Sequence, residues 1–523
     1  MHELPAAEPQ SVKAAEPQGV KVAEPQSVKA AEPQSLKPTE PQSRAYDAAA
    51  MGDLRVFLQR AEAAGELKRV RGADPHLEIG ALFELSHEHR YPPVLLFEDI
   101  KGCAPGHRIL CNVRVARFVV GELTLDAVKA YRRRPKGRRE PIPPRLVNAG
   151  PLFDNVQEGE AVDVTAFPAP KWHGEDGGNY IGTECIVVTR DPDSDWVNIG
   201  TYRVMVHDKK TLGIFIETGK HGDIIRRKWW AKGKACPIAI SVGQAPILGV
   251  VASADSKPGE SEYAAAGARI GRPIDVVLGR VTGLPIPADA ELVFEGVMPP
   301  PEEEARQEGP FGEWPGYYAS DERPEPVVRV QAVYHRNDPI IIGQPPTKPT
   351  YPGRQIKIPF VAALWDALEA AGVPEVRGVW KMPGGGTTFI NVIAIKQLHA
   401  GHAKMAGLTA VGCRAGGYMN RLTIIVDEDI DITNPAEVMW AVATRWDPRT
   451  QTDIIDSCWT GLIDPRLPPE QRDNGDGTLS RMIIYAVRPF HWKEKFPRVN
   501  TVDPDYAEAI RRKWAGELDF LRK

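Results

Sequence analysis

The sequence predicts a mixed α/β chain, more strictly α+β. Helix-like and strand-like patterns alternate at the front of the folded sequence and again toward its end. Between them lie short β-branched runs broken by Asp, Gly and Pro. A proline-punctuated repeat precedes all of this.

That repeat fills residues 1–45. AEPQSVKA, AEPQGVKV, AEPQSVKA and AEPQSLKP succeed one another, and TEPQS closes the series. Recurrent proline stops a continuous helix. Few large apolar side chains are available to repay ordering, so the tail is expected to be disordered.

Residues 46–155 read as an N-terminal α/β domain. Asp53 is placed to cap a helix in which Leu54, Phe57 and Leu58 recur at helical spacing. HLEIGALFELSHEH follows as a second helix and PPVLLFEDI as a buried strand. Residues 156–335 carry ECIVVTRD, WVNIGTYRVMVHD, TLGIFIET, PIAISVG, DVVLGRVTG and ELVFEGVM, which predict a mostly antiparallel sheet or barrel. Residues 336–490 return to α/β: IPFVAALWDALEAAG and PAEVMWAVATRW are helical, TTFINVIAIK and RLTIIVDED are strands. Residues 491–523 end in an amphipathic helix of the kind that docks on a partner subunit.

The bulk numbers exclude several classes. The 523 residues are 42% hydrophobic and 26% charged, with a formal net charge of −4, so no nucleic acid partner is implied. No basic start followed by an apolar run opens the chain, and no apolar run of about 18 residues could span a membrane. Six scattered cysteines without a CxxC pair suggest reduced, buried thiols and a cytoplasmic setting. One basic run, YRRRPKGRRE, brings together Arg132, Arg133, Arg134, Lys136, Arg138 and Arg139. It reads as solvated surface, a subunit contact or a seat for an anion such as a CoA phosphate. GxGxxG behind a strand, GxxxxGK[ST], HExxH and GxSxG are all absent. The triple glycine Gly384–Gly386 reads as a turn.

What remains is polar chemistry on the β-rich middle. In EGPFGEWPGYY, Glu308 and Glu313 bracket a stiff Gly-Pro-Phe-Gly turn among aromatics. Arg203, in NIGTYR, could pair with both carboxylates or with a substrate carboxylate. Such an arrangement holds one acid ionised while burial lets the other keep its proton, the usual logic of an acid/base site. A purely structural Arg–Glu pair is the alternative. Asn198, His221 and Glu262 offer an amide oxygen, an imidazole and a carboxylate, a set suited to a divalent cation such as manganese. Without tight spacing, each of the three is equally compatible with surface or core.

NIGTYR, KHGD, SEYAAAG, EGPFGEWPGYY, AGHAK and VMWAVATRWDP occur in this order over much of the folded chain. Together they closely resemble the UbiD family of reversible, non-oxidative decarboxylases. The resemblance implies a central split β-barrel of flavin-reductase-like type holding prenylated FMN. It implies a divalent metal, commonly Mn²⁺, on Asn198, His221 and Glu262, with K⁺ beside it. The cofactor-lining strand falls on Ile199, Gly200, Thr201, Tyr202 and Arg203, and the adjoining turn on Lys220 and His221. Some members carry a cofactor-reaching Lys near VGCRAGG, where this chain has Arg414. The family's Glu–Arg–Glu network falls on Glu308, Arg203 and Glu313; some members have Asp at the last position.

The implied chemistry joins cofactor and substrate covalently, and carbon dioxide leaves with the flavin as electron sink. Glu313 then protonates the vacated carbon, the aromatics excluding water, while Glu308 and Arg203 tune it. The implied substrate is an aromatic, heteroaromatic or α,β-unsaturated acid. The alternatives are an aromatic acyl-CoA thioester or a non-catalytic subunit of a multi-subunit carboxylase. A flavin prenyltransferase is implied as the source of cofactor, and a homo-oligomer, dimer or hexamer, as the assembly. WKMPGGGTTF and LHAGHAKMAG, with His399 and His402, are candidates for the substrate-facing wall.

Overall fold

The computed structural model describes residues 47–89, 91–116, 123–133, 140–254, 256–318, 321–349, 358–382 and 389–518. The repeat tail, Arg134, Lys136, Arg138, Arg139 and Gly384–Gly386 lie outside the described residues. From Ser43 onward the chain is a single compact unit.

The first helix pair follows from its caps. Asp47 accepts from the N–H groups of Ala49 and Ala50. Asp53 accepts from Arg55 and Val56 at 2.8 and 3.0 Å, opening the helix Leu54–Ala63. That helix buries Leu54, Phe57 and Ala61, leaving Leu58 packed at the margin. Asp53→Ala is expected to cost about 1 kcal/mol, the usual value of a lost cap. The shift in denaturant midpoint measures it.

Four sheets organise the rest. The first orders the strands Leu67–Arg71, Val94–Glu98, Arg108–Cys111 and Ile340–Gly343. Its last member departs from the linear order expected of the sequence. Ile340–Gly343 falls by number in the third region but runs parallel to Arg108–Cys111 in the first. The helix Leu125–Arg133 departs in the opposite direction. Its Val128 packs into the core of the third region, and Arg132 bonds to Asp366 and Glu369 on the helix Ile358–Ala370. Apolar periodicity says which face is buried, not which partner buries it.

The central sheet is antiparallel throughout and curls into a half-barrel. Its main path runs from Asn179–Gly182 through Arg203–Asp208, Thr211–Phe215, Arg323–His335, Leu292–Met298, Cys236–Ser241 and Ile186–Arg190 to Val197–Gly200. The short strand Ala305–Glu308 pairs with Arg323–His335 and leads straight into the glutamate loop. Glu295, fully buried, accepts from the N–H groups of Val281 and Thr282 and from the Tyr334 hydroxyl, tying a turn to the sheet. A three-stranded sheet joins Arg145–Leu146, Asp275–Leu278 and Pro285–Pro287.

The third region holds a five-stranded sheet, Val376–Lys381, Ile390–Ile395, Leu422–Asp427, Thr478–Ala486 and Thr452–Trp459 in spatial order. The terminal helix Pro504–Trp514 is capped by Asp503. Among the described residues no helix is long and apolar enough to cross a membrane. All six cysteines are unpaired. Cys111, Cys185 and Cys236 are buried as expected, whereas Cys103, Cys413 and Cys458 are half-buried, on less enclosed elements.

Candidate active site

Arg203 opens its strand beside Tyr180, one strand over, and opposite Phe215. Its Nε and Nη2 donate to the two oxygens of Glu308 at 2.8 and 2.7 Å. Its Nη1 donates to Glu313 Oε1 at 3.0 Å. Three of the five guanidinium N–H groups are thus engaged. The guanidinium lies over Phe215, 4.3 Å from the ring centre, with Phe311 at 5.7 Å. Burial opposes its charge, but Glu308 and Glu313 outweigh burial and hold its proton more tightly than usual.

The two acids differ in surroundings. Glu308 is fully buried and accepts a third bond, from the Tyr180 hydroxyl at 2.9 Å. The Glu313 side chain is 17% exposed and is held by Arg203 alone among the hydrogen bonds and ion pairs of the described residues. Burial pushes the Glu313 carboxyl up to about 7; Arg203 pulls it down, while Glu217 and Glu308 push it up. Glu313 therefore keeps a proton near neutrality.

The loop between them is held from outside. Gly309 has a φ of +88°, a conformation that side chains resist. A Cβ at Gly177 would overlap the Gly309 carbonyl, so only glycine lets the two backbones meet there. Gly177 N–H donates to Pro310 O at 2.8 Å. At the far end, Glu313 N–H donates to Tyr317 O, and the Tyr318 hydroxyl donates to buried Asp176 at 3.2 Å. The aromatics of the motif, expected to exclude water, divide: Trp314 is half-buried, while the tyrosines face outward. Tyr317 is 61% exposed and Tyr318 is exposed too, because they form the outer return of the turn. Buried Phe311, its ring centre 4.1 Å from that of Tyr180 in a tilted pair, supplies the apolar cover.

Asn198 and Glu262 also meet. Asn198 Nδ2 donates to Glu262 Oε1 at 3.0 Å, and Ile199 N–H donates to Glu262 Oε2 at 3.2 Å. Ser256 adds a side-chain hydrogen bond to Glu262, and burial pushes that carboxyl up. Asn198 Oδ1 is buried without a hydrogen-bond partner, an acceptor suited to a cation. His221 begins the helix His221–Ala231, its ring 5.0 Å from Trp196, whose indole N–H bonds to Glu260 O two residues before Glu262. This donor set fits a divalent metal. It relies on an amide, and no cluster of three His, Cys, Asp or Glu that could hold a metal occurs among the described residues.

The other predicted residues divide. Ile199 is buried, and Gly200 lets the Tyr202 ring pack over the bend. Tyr202 accepts from Gly222 N–H at 3.2 Å, tying the bend to the start of the His221 helix; burial pushes its hydroxyl up to about 12. Thr201 is half-buried on the same bend. Lys220 is exposed at the rim, 3.7 Å from Glu217. Arg414 belongs to a different element. It is exposed in the third region, its guanidinium 5.8 Å from the Trp459 ring centre, because the short helix Arg414–Gly417 turns its glycines inward. His402 is structural: Nε2 donates to Pro374 O and Nδ1 accepts from Leu398 N–H.

Sequence reasoning missed Tyr180, Asp176, Gly177 and Ser256. GEDGGNY gives a turn signal for the glycines but nothing that links Tyr180 to a residue 128 positions on. It also missed Lys381, 2% exposed, which donates to Asn391 Oδ1 at 3.0 Å and whose amine burial pulls down to about 8. Lys381 ends its strand at the edge of the sheet where Phe389 meets Trp314, ring centres 5.7 Å apart.

Comparison with known proteins follows these elements. The model of the 3-octaprenyl-4-hydroxybenzoate carboxy-lyase Rift-related domain matches residues 145–349, and the corresponding C-terminal and N-terminal domain models match 356–486 and 58–117. The chain belongs to the UbiD family. Like its relatives in that family, it is a carboxy-lyase. The pyrrole-2-carboxylic acid decarboxylase of Pseudomonas aeruginosa is 33% identical over 471 residues, covering 84% of this chain and 91% of that one. The phenolic acid decarboxylase of Streptomyces sp. (strain D7) is 32% identical, covering 84% and 93%. The UbiD-class enzyme HmfF from Pelotomaculum thermopropionicum, solved in complex with FMN, superposes with a TM-score of 0.73 at 31% identity, over 87% of this chain and 98% of that one.

Proposed function

We propose that this UbiD-family chain carries out the non-oxidative, reversible decarboxylation of an aromatic, heteroaromatic or α,β-unsaturated carboxylic acid, with prenylated FMN as cofactor. The observation that carries the reading is the buried Glu308–Arg203–Glu313 network, in which one acid is filled with donors and the other is left able to hold a proton. An evolved dimeric form of HmfF has been solved with prenylated FMN, which supports the choice of cofactor and a homo-oligomeric assembly.

When bound, the prenylated flavin supplies the sink for the electrons left by departing carbon dioxide. Asn198, His221 and Glu262 would hold Mn²⁺ or a similar cation, with K⁺ as a second ion, and a flavin prenyltransferase would supply the cofactor. Arg203 binds and orients the substrate carboxylate with N–H groups its glutamates leave over. Phe215 and Phe311 shield that pairing from water. Glu313 delivers its proton to the carbon that lost carbon dioxide, from a loop set by Gly309 and Gly177. The acyl-CoA alternative draws no support from Arg132, whose guanidinium is committed to Asp366 and Glu369.

The test is protein made together with a flavin prenyltransferase and screened against aromatic acids for carbon dioxide release. Wild-type protein is expected to carry a modified-flavin spectrum and turn over at least one such acid. Glu262→Gln and His221→Ala are each expected to lose cofactor and metal together. Stoichiometric cofactor in both variants would remove the metal assignment, and a flavin-free wild type would remove the reading itself.

A further inference from the structure

Tyr180 has no place in the chemistry described so far, yet it is completely buried beside it. Its backbone is fixed at both ends: its N–H donates to Pro170 O, and its carbonyl accepts from the Trp172 indole at 3.0 Å. Its ring packs against Phe311 in a tilted pair, ring centres 4.1 Å apart. With backbone and ring held, the hydroxyl can go to one place, Glu308 Oε1 at 2.9 Å, the same oxygen that accepts from Arg203 Nε. Burial, with Glu308 next in weight, pushes the phenol far above its ordinary range, so it donates and does not give up its proton. Glu308 thus accepts from three donors, two on Arg203 and one on Tyr180.

We infer that Tyr180 is a positioning residue for proton delivery: by filling Glu308 it assigns the one mobile proton of the carboxylate pair to Glu313. The inference rests on the proposed role of Glu313 and adds a residue to it. Glu308 and Glu313 are bridged by the one guanidinium of Arg203, so a change in the donors on one is felt at the other. Removing the hydroxyl takes one donor from Glu308, which then competes with Glu313 for the proton. The groups that face the pair are Arg203, Glu217, Arg323, Glu325, Asp176 and His207, and a hydroxyl deletion leaves all of them in place.

The experiment is Tyr180→Phe on cofactor-loaded protein, which keeps the ring on Phe311. Turnover is expected to fall by roughly 10–100-fold, the usual effect of losing an outer hydrogen-bond partner, with KM little changed. The alkaline limb of the rate profile is expected to move to higher pH, because a pair with fewer donors binds its proton more tightly. In a Glu308→Gln background, read by single turnover, Tyr180→Phe is expected to add nothing. A profile and turnover within twofold of wild type overturn the inference. An equal loss in both backgrounds also overturns it, since the effect would then bypass Glu308. If Tyr180→Phe does not fold, 3-fluorotyrosine placed at 180 gives the opposite reading: a stronger donor moves the limb to lower pH, and an unmoved limb overturns the inference. Collapse of Glu313→Gln with an unchanged Tyr180→Phe counts against Tyr180 alone. Full turnover in Glu313→Gln removes the parent reading and the inference with it.

Discussion

Glu313→Gln is expected to lower turnover by about two to four orders of magnitude, the range for a lost general acid, or about 3–5 kcal/mol of barrier. The amide keeps the shape of the side chain and its contact with Arg203, so substrate and cofactor still bind. The transferable proton is gone, and solvent deuterium should no longer enter the product at the vacated carbon. The pH dependence has a definite sign. Burial raises the Glu313 carboxyl to about 7 from 4.5, so the acid form is full below that pH and empties as pH rises through it. Wild-type turnover is therefore expected to fall above about pH 7, and Glu313→Gln should lack that limb. The measurement is turnover against pH with cofactor content verified. Near-normal turnover in the loaded variant would make the loop structural.

Arg203→Met should destabilise the protein by about 3–5 kcal/mol, the cost of leaving buried charges without their partner. Glu308 and Glu313 lose their shared cation together, and Phe215 and Phe311 offer nothing polar in exchange. Because Arg203 pulls the Glu313 carboxyl down, its removal raises that group further above its unfolded value of 4.5. A raised carboxyl favours the folded state at low pH and weakens it as pH rises through the folded value. The deficit relative to wild type should therefore grow as pH rises from about 7, the wild-type value, toward the variant's higher one. Unfolding curves at both ends of that window measure it, and a deficit independent of pH would mean that the guanidinium acts by packing alone.

How much of this was legible depended on range. The Asp53 cap and the Phe57 face are local, and both are in the structure as their spacing implies. The alternation of short runs was enough for an antiparallel middle because each run is its own signal. Arg203 and Glu308 stand 105 positions apart. Their pairing came from resemblance, since no period links them. The same limit hid Tyr180, and it misassigned the tyrosines. An aromatic after an acid reads as cover, but in a tight turn whichever residue lies inside does the covering, here Phe311. Arg414 followed the same course. Its candidacy came from the cofactor-reaching Lys that some family members carry near this position, and the structure shows the neighbouring glycines, Gly416 and Gly417, packed inward.

The strand Ile340–Gly343 that completes the first sheet has a consequence for synthesis. Next to it, Asn112 N–H donates to the Gln344 side chain across 232 residues of chain. The helix Leu125–Arg133 waits longer still for its partner Ile358–Ala370. At ribosomal speeds of about 5–20 residues per second, the first sheet stands with an open edge for roughly 10–50 s after Asn112 is made. An unpaired, apolar edge such as Ile109 and Leu110 is a template for wrong partners. The nascent chain is therefore most vulnerable before its middle third has been translated.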